Sequence, residues 1–89
     1  MNESEIERAI ENRVMTARTK DYKIWTVGIT DDPTRRKGEH ETTGENIEYW
    51  LDWKADTETI ARTVESYFLA KGMKGGAGGG ERPTYVYIF

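Results

Sequence analysis

The stretch YKIWTVGITDDPTRRKGEH, residues 22–40, contains the strongest structural signals in this chain. Its first half is apolar and rich in β-branched and aromatic residues, which predicts a strand over residues 22–30. Asp32 before Pro33 predicts a helix start, because Asp accepts a bond from an unpaired amide and Pro suits the first helical position. The stretch therefore predicts a strand that leads directly into a short helix ending near His40.

Outward from this stretch, the sequence continues to alternate between helical and extended patterns. Before it we predict a helix and a strand, the strand joined to the next by a hairpin at Lys20-Asp21. The predicted elements are, in order, the helix Glu5–Arg13 with Ser4 as its cap, the strands Val14–Thr19 and Tyr22–Thr30, the helix Pro33–His40, the strand Asn46–Lys54, a helix from Asp56 or Thr57 to Gly72, and the strand Thr84–Phe89. The apolar density of the last strand places it inside the sheet. The pattern predicts one α+β domain over residues 1–89, with a small, mainly antiparallel β-sheet flanked by helices.

Composition excludes several kinds of site. The chain has 89 residues, no cysteine and one histidine, so a disulfide framework, a thiolate zinc site and a multi-histidine metal site are all excluded. No apolar run reaches the roughly 20 residues needed to span a bilayer, and residues 2–5 do not resemble a secretory signal. We therefore expect no membrane association and a cytoplasmic location.

The charge distribution bears on nucleic-acid binding. The net charge is −3, which disfavours general binding to phosphate backbones. Basic residues are nevertheless clustered at Arg35–Lys37, and Lys71, Lys74 and Arg82 lie within or beside a glycine-rich run at 72–80. A local phosphate-binding surface is thus compatible with the sequence.

Residues 26–40 also resemble a known signature. Thr26-Val27-Gly28, then Asp32-Pro33, Arg36 and His40, resemble the second half of the motif of GIY-YIG nucleases. In that superfamily a strand ending in Tyr-Ile-Gly is followed by Thr, Asp-Pro, a helical Arg and a His. The resemblance covers roughly residues 14–70 and is most specific over 26–40.

The resemblance implies a fold and a site. The fold is a three-stranded antiparallel sheet flanked by helices, to which this chain adds an N-terminal helix and a last strand. Arg36 would hold the scissile phosphate and Glu65, in the later helix, would hold one Mg²⁺. His40 and Thr26 complete the candidate catalytic set, and Arg35 and Lys74 are further candidate phosphate ligands.

The chain departs from the family pattern at the tyrosines. Thr26 stands in place of the second signature tyrosine, and a threonine hydroxyl is a poor proton carrier. The first should lie on the strand Val14–Thr19, where only Met15 or Ala17 is available. No asparagine follows Glu65, so a late polar contact of the family is also missing. These departures predict impaired cleavage, although Tyr22 could lend a hydroxyl from the face that carries Thr26.

Structural interpretations compete with these assignments. Arg36 and His40 could form a solvated helix face, Glu65 could pair with Arg62 or Arg36, and the glycine-rich run could be a phosphate nest or, as we favour, a flexible connector. Some aromatic residues could stack bases, although a domain of this size needs most of them in its core: Trp25, Trp50, Trp53, Tyr85 and Tyr87.

Two functions follow from the sequence. The first is a small GIY-YIG-like domain that contacts nucleic-acid phosphate and is a divergent or inactive Mg²⁺-dependent endonuclease. The alternative is a non-catalytic module that keeps the fold and binds a protein or another ligand. In either case a partner protein that helps to find the target is compatible with the small size of the chain.

Overall fold

The computed structural model describes residues 1–75 and 82–89. Within these ranges three helices surround a mixed sheet, which confirms the predicted α+β class. The elements are α1 (Glu3–Met15), β1 (Thr26–Thr30), α2 (Pro33–Thr42), β2 (Leu51–Lys54), α3 (Glu58–Ala70), β3 (Lys74–Gly75) and β4 (Tyr85–Ile88), with a single 3₁₀ turn at Tyr22–Ile24. Most of the glycine-rich connector predicted at 72–80 lies outside the described residues.

The sheet is mainly antiparallel, and its strand order is β2-β4-β1-β3. β4 lies between β2 and β1 and is antiparallel to both, while the two-residue β3 is parallel to β1. The register places Tyr87 opposite Gly28 on one side and Asp52 on the other. The prediction that the last strand lies inside the sheet is therefore confirmed.

The two faces of the sheet have different roles. Val27 and Ile29 of β1 and Val86 and Ile88 of β4 are buried in one core with the apolar stripes of α1 and α3. Because neighbouring residues of a strand point to opposite faces, Gly28 and Tyr87 lie on the other face. No helix among the described residues is long and apolar enough to cross a membrane.

The predicted N-terminal hairpin is wrong. Val14 and Met15 belong to α1, and residues 16–21 contain no strand. Ile6, Ile10 and Val14 recur every four residues and are all fully buried, so packing against α3 extends the helix through residues with high β-propensity. The helix also begins earlier than predicted, because Asn2, rather than Ser4, is its cap and forms a capping box with Glu5.

Local helix signals were more reliable. Asp32 caps α2 by accepting a bond from the Arg35 amide, and Pro33 is the first helical residue, as predicted. Thr57 caps α3, and Gly72 follows its end with a φ of +112°, a conformation that favours glycine. The strand expected over Asn46–Lys54 is shorter, since only its last four residues pair with β4.

A close approach between β1 and β4 explains why position 28 is a glycine. The Tyr87 ring lies directly over Gly28, and a Cβ added there would overlap Cζ and Oη of Tyr87 and lie 2.8 Å from Cε2. Any side chain at residue 28 would therefore displace the ring. The absence of a side chain at this position determines where the tyrosine hydroxyl lies.

We expect Gly28→Ala to destabilise the fold by roughly 1–3 kcal/mol, because the methyl group overlaps a buried ring. Gly38→Ala is the matched control, since it lies inside α2 and an added Cβ would meet nothing within 4 Å. The control should stabilise the protein by roughly 0.5–1 kcal/mol. Urea unfolding measures both values, and equal stability of Gly28→Ala and wild type would contradict the packing described.

Candidate functional site

Three polar side chains meet above the centre of the sheet. The Tyr87 hydroxyl of β4 lies 3.0 Å from Nε2 of His40 and 3.4 Å from Nε of Arg36. Both partners come from α2, where their four-residue spacing places them on one face. That face is directed at the sheet, since only 17% of the Arg36 side chain is exposed and His40 is buried. The alternative of a solvated helix face is therefore wrong.

The hydrogen bonds of this cluster determine the tautomer of His40. Its Nδ1 lies 3.0 Å from Oε2 of Glu45, and an ionised carboxylate can only accept, so Nδ1 carries a proton. The Nε–H of Arg36 donates to the Tyr87 oxygen, which leaves the hydroxyl proton to point at Nε2 of His40. A neutral His40 protonated at Nδ1 thus satisfies every member of the network.

An aromatic cover closes this cluster. The Trp50 ring stacks on Tyr87 with centroids 4.4 Å apart and planes 10° apart, and it also stacks on Phe89. The Trp50 indole N–H donates to Oδ2 of Asp52 at 2.8 Å, which holds the ring in place. As a result Tyr87 is 0% exposed.

Burial and neighbouring charges act in opposite directions on the tyrosine. Burial raises the pKa of Tyr87, the hydrogen bond and charge of Arg36 lower it, and the carboxylates of Glu65 and Glu45 raise it again, with a net increase. Tyr87 is therefore a neutral phenol at physiological pH. Burial lowers the pKa of Arg36, but its hydrogen bonds to Tyr87 and Glu39 and the charges of these groups together raise it by more. The net pKa is therefore raised, and Arg36 stays charged.

Glu65 lies on α3, whose buried side packs on the sheet face opposite to Tyr87. It is half-buried, and burial raises its pKa, while the nearby charge of Arg62 lowers it, with a net increase. Arg62 forms an ion pair with Glu58 at 2.8 Å, so the alternative in which Glu65 pairs with Arg62 is reduced to a longer-range attraction. The charge of Glu65 makes a small contribution to the raised pKa of Tyr87.

A cleft of about 790 Å³ borders the cluster on the α2 side. Its walls include four of the residues singled out from the sequence, namely Arg36, His40, Thr26 and Lys74. Glu65 and Arg35 are not among the described residues of this wall. Arg35 instead pairs with Asp31 at 2.9 Å on the exposed side of α2.

Sequence reasoning missed Tyr87 and proposed Tyr22 instead. Tyr22 lies in the 3₁₀ turn, where it packs on Phe68 with the Lys71 ammonium 5.6 Å from its ring centroid, in the core layer of the molecule. Tyr87 is 51 residues from Arg36, so local spacing could not connect them. The sequence did contain one usable signal for Tyr87, the apolar C-terminal run. That run predicts a strand inside the sheet, and such a strand pairs with a neighbouring strand on each side.

The described residues contain no group of three or more His, Asp or Glu side chains arranged to hold a metal ion. Mg²⁺ does not need such a group, since it is often bound by one or two carboxylates together with water and substrate phosphates. Glu65, a half-buried carboxylate on α3, has the donor chemistry for this mode of binding. The predicted Mg²⁺ is therefore compatible with the residues present.

The raised pKa of Glu65 predicts a pH-dependent stability in metal-free buffer. A carboxyl whose pKa is higher in the folded than in the unfolded protein contributes stability below its usual value of 4.5, and this contribution is lost as pH rises through the folded pKa. The free energy of unfolding of Glu65→Gln, relative to wild type, should therefore increase between pH 4 and pH 7.

Urea unfolding at both pH values measures this difference. Glu48→Gln, at an exposed position, controls for the loss of one negative charge. A Glu65→Gln variant that loses stability relative to wild type as the pH rises would show that this carboxylate is favourably paired when ionised.

Comparisons with family models, with curated proteins and with solved structures find no match to this chain.

Proposed function

We propose that this chain is a GIY-YIG-like domain that contacts nucleic-acid phosphate, and that its last strand supplies the signature tyrosine. The observation that supports the proposal is the position of the Tyr87 hydroxyl between Arg36 and His40. The resemblance already implied Arg36 and His40 as the two helical residues of the site. The sequence lacked the tyrosine that the family pattern places beside them.

The strand order supports this assignment. The family motif needs a tyrosine-bearing strand antiparallel to the strand that contains Gly28. Here that neighbour is β4, whose Tyr85-Val86-Tyr87 segment pairs with residues 28–30 of β1. On this proposal the chain has a permuted order, in which the strand that the family places first comes last. The extra last strand noted in the sequence then becomes part of the motif.

The cluster has the parts of an activated hydroxyl. The Tyr87 proton can pass to Nε2 of His40, and Glu45 stabilises the imidazolium through the Nδ1–H bond. Arg36 stabilises the phenolate that forms and is placed to bind phosphate. The phenolate would then accept a proton from the water that attacks phosphorus, the bond from phosphorus to the leaving oxygen would break, and the leaving oxygen would take up the proton held by His40. Glu65 would be the residue that holds Mg²⁺, and the bound ion would supply charge stabilisation to the transition state.

The Trp50 cover supports a second candidate function. Substrate cannot reach Tyr87 while the Trp50 ring is stacked on it. Trp50 follows residues 43–49, which lie outside helices and strands, so displacement of the ring breaks no sheet or helix pairing. If the ring stays in place, the domain is a non-catalytic module that binds through the adjacent cleft. A partner protein and a cytoplasmic location stay predictions.

Cleavage assays separate the two functions. We expect Mg²⁺-dependent cleavage of a pool of branched DNA, single-stranded DNA and RNA by the wild type. Tyr87→Phe and Arg36→Ala should each lower the rate by roughly 100-fold or more, because each removes a group that acts in the transition state. Glu65→Gln should abolish the part of the cleavage rate that depends on Mg²⁺. Arg62→Ala is the control, because Arg62 lies on the same helix as Glu65 and pairs with the exposed Glu58.

Circular dichroism should first show that each variant is folded. Equal cleavage by wild type and Tyr87→Phe would contradict the catalytic assignment and indicate a contaminating nuclease. Phosphate-dependent binding without cleavage would favour the non-catalytic module. Absence of both binding and cleavage would contradict the proposed function as a whole.

A further inference from the structure

The cleft beside Arg36 has a size and a lining suited to a flat organic group. Its volume of about 790 Å³ is within the range of roughly 300–1,000 Å³ typical of small-molecule sites. Aromatic and aliphatic side chains form part of its wall, namely Ile24, Trp25, Tyr49 and Phe89. Ile24 and Tyr49 are more than half exposed, at 55% and 56%, so both side chains are accessible to a ligand.

The aromatic wall is held in place by a cation. The guanidinium of Arg13 lies 5.1 Å from the Trp25 ring centroid and 5.7 Å from that of Tyr49, so it bridges the two rings. The indole N–H of Trp25 is buried and has no hydrogen-bond partner among the described residues. An unpaired buried donor is costly, because it has lost its hydrogen bond to water without gaining another.

Charged groups line the same cleft as the aromatic residues. Arg36 and Lys74 contribute the positive charges, and both were singled out as phosphate ligands. The wall also carries two carboxylates, since Glu39 pairs with Arg36 at 2.9 Å and Glu45 pairs with His40 at 3.0 Å, so a phosphate that contacts Arg36 would compete with Glu39 for its guanidinium. The combination of flat apolar surface with cations matches a nucleotide, which joins a flat base to an anionic phosphate.

We propose that this cleft binds one unpaired base of a nucleic-acid strand, stacked on Tyr49, while the adjoining phosphate contacts Arg36. This inference rests on the proposed phosphate-binding function and adds the structure of the substrate. Stacking on Tyr49 needs an accessible base face, and in a continuous duplex the neighbouring base pairs cover both faces. The site therefore selects single-stranded segments, loops or extruded bases over intact duplex.

Fluorescence anisotropy with labelled 12-nucleotide probes tests the inference. The probes are one single-stranded DNA, the same strand as RNA, its fully paired DNA duplex, and the single strand with one central abasic site. Wild type should bind the single strands at least several-fold more tightly than the duplex. Tyr49→Ala should weaken single-strand binding by roughly 10-fold, since stacking of one base on an aromatic ring is worth about that factor.

Two variants provide controls. Tyr49→Phe keeps the ring and should retain single-strand affinity, whereas Tyr67→Ala removes an exposed tyrosine on α3 outside the described cleft wall and should have no effect. Tyr49→Ala should also leave duplex affinity unchanged, because the duplex does not use the cleft.

The possible outcomes separate this inference from the proposed function. Binding that is lost in Arg36→Ala but unchanged in Tyr49→Ala, or that is tightest for duplex, overturns the base-binding cleft and leaves phosphate contact intact. Equal loss of affinity for duplex and single strands in Tyr49→Ala also overturns it, because the ring would not then select unpaired bases. No binding of any probe overturns both.

Discussion

The contact between Tyr87 and Gly28 is the constraint on which the rest of the site depends. A central strand normally covers its neighbour with side chains, but position 28 has none, and the tyrosine ring lies flat in the space. The hydroxyl then falls within reach of two residues from the helix that begins directly after β1. Trp50 stacks on the outer face of the ring and completes its burial. One missing side chain thus positions a buried polar network.

The network balances stability against reactivity. Every polar atom assigned to it has a partner, so burial of the phenol is tolerated without an unsatisfied group. The same burial raises the pKa of Tyr87 and keeps it neutral, while Arg36 acts in the opposite direction. The chemistry that we propose therefore requires two changes, displacement of Trp50 and transfer of the phenol proton to His40. A closed, neutral resting state is consistent with both the catalytic and the non-catalytic function.

Features that depend on local interactions, such as the caps of α2 and α3, were predicted correctly from the sequence. Features that depend on contacts between distant residues were not. Asp32, Pro33, Thr57 and Gly72 act within one turn of a helix, and each had its predicted role. Val14 was assigned to a strand because its intrinsic preference was read without the packing of α1 on α3. Arg36 and His40 were found because their spacing within α2 is local. Their partner Tyr87 was not found, because its position depends on the pairing of β1 with β4, two strands that are far apart in the sequence.

The tautomer of His40 tests the central claim most directly, and the chain has only this histidine, so its signals are unambiguous. A long-range ¹H–¹⁵N correlation spectrum at pH 8 distinguishes the two ring nitrogens. The hydrogen-bond network predicts a protonated Nδ1 and an unprotonated Nε2, with the Nε2 shift moving in Tyr87→Phe. A protonated Nε2, or the averaged spectrum of a solvent-exposed imidazole, would contradict the account.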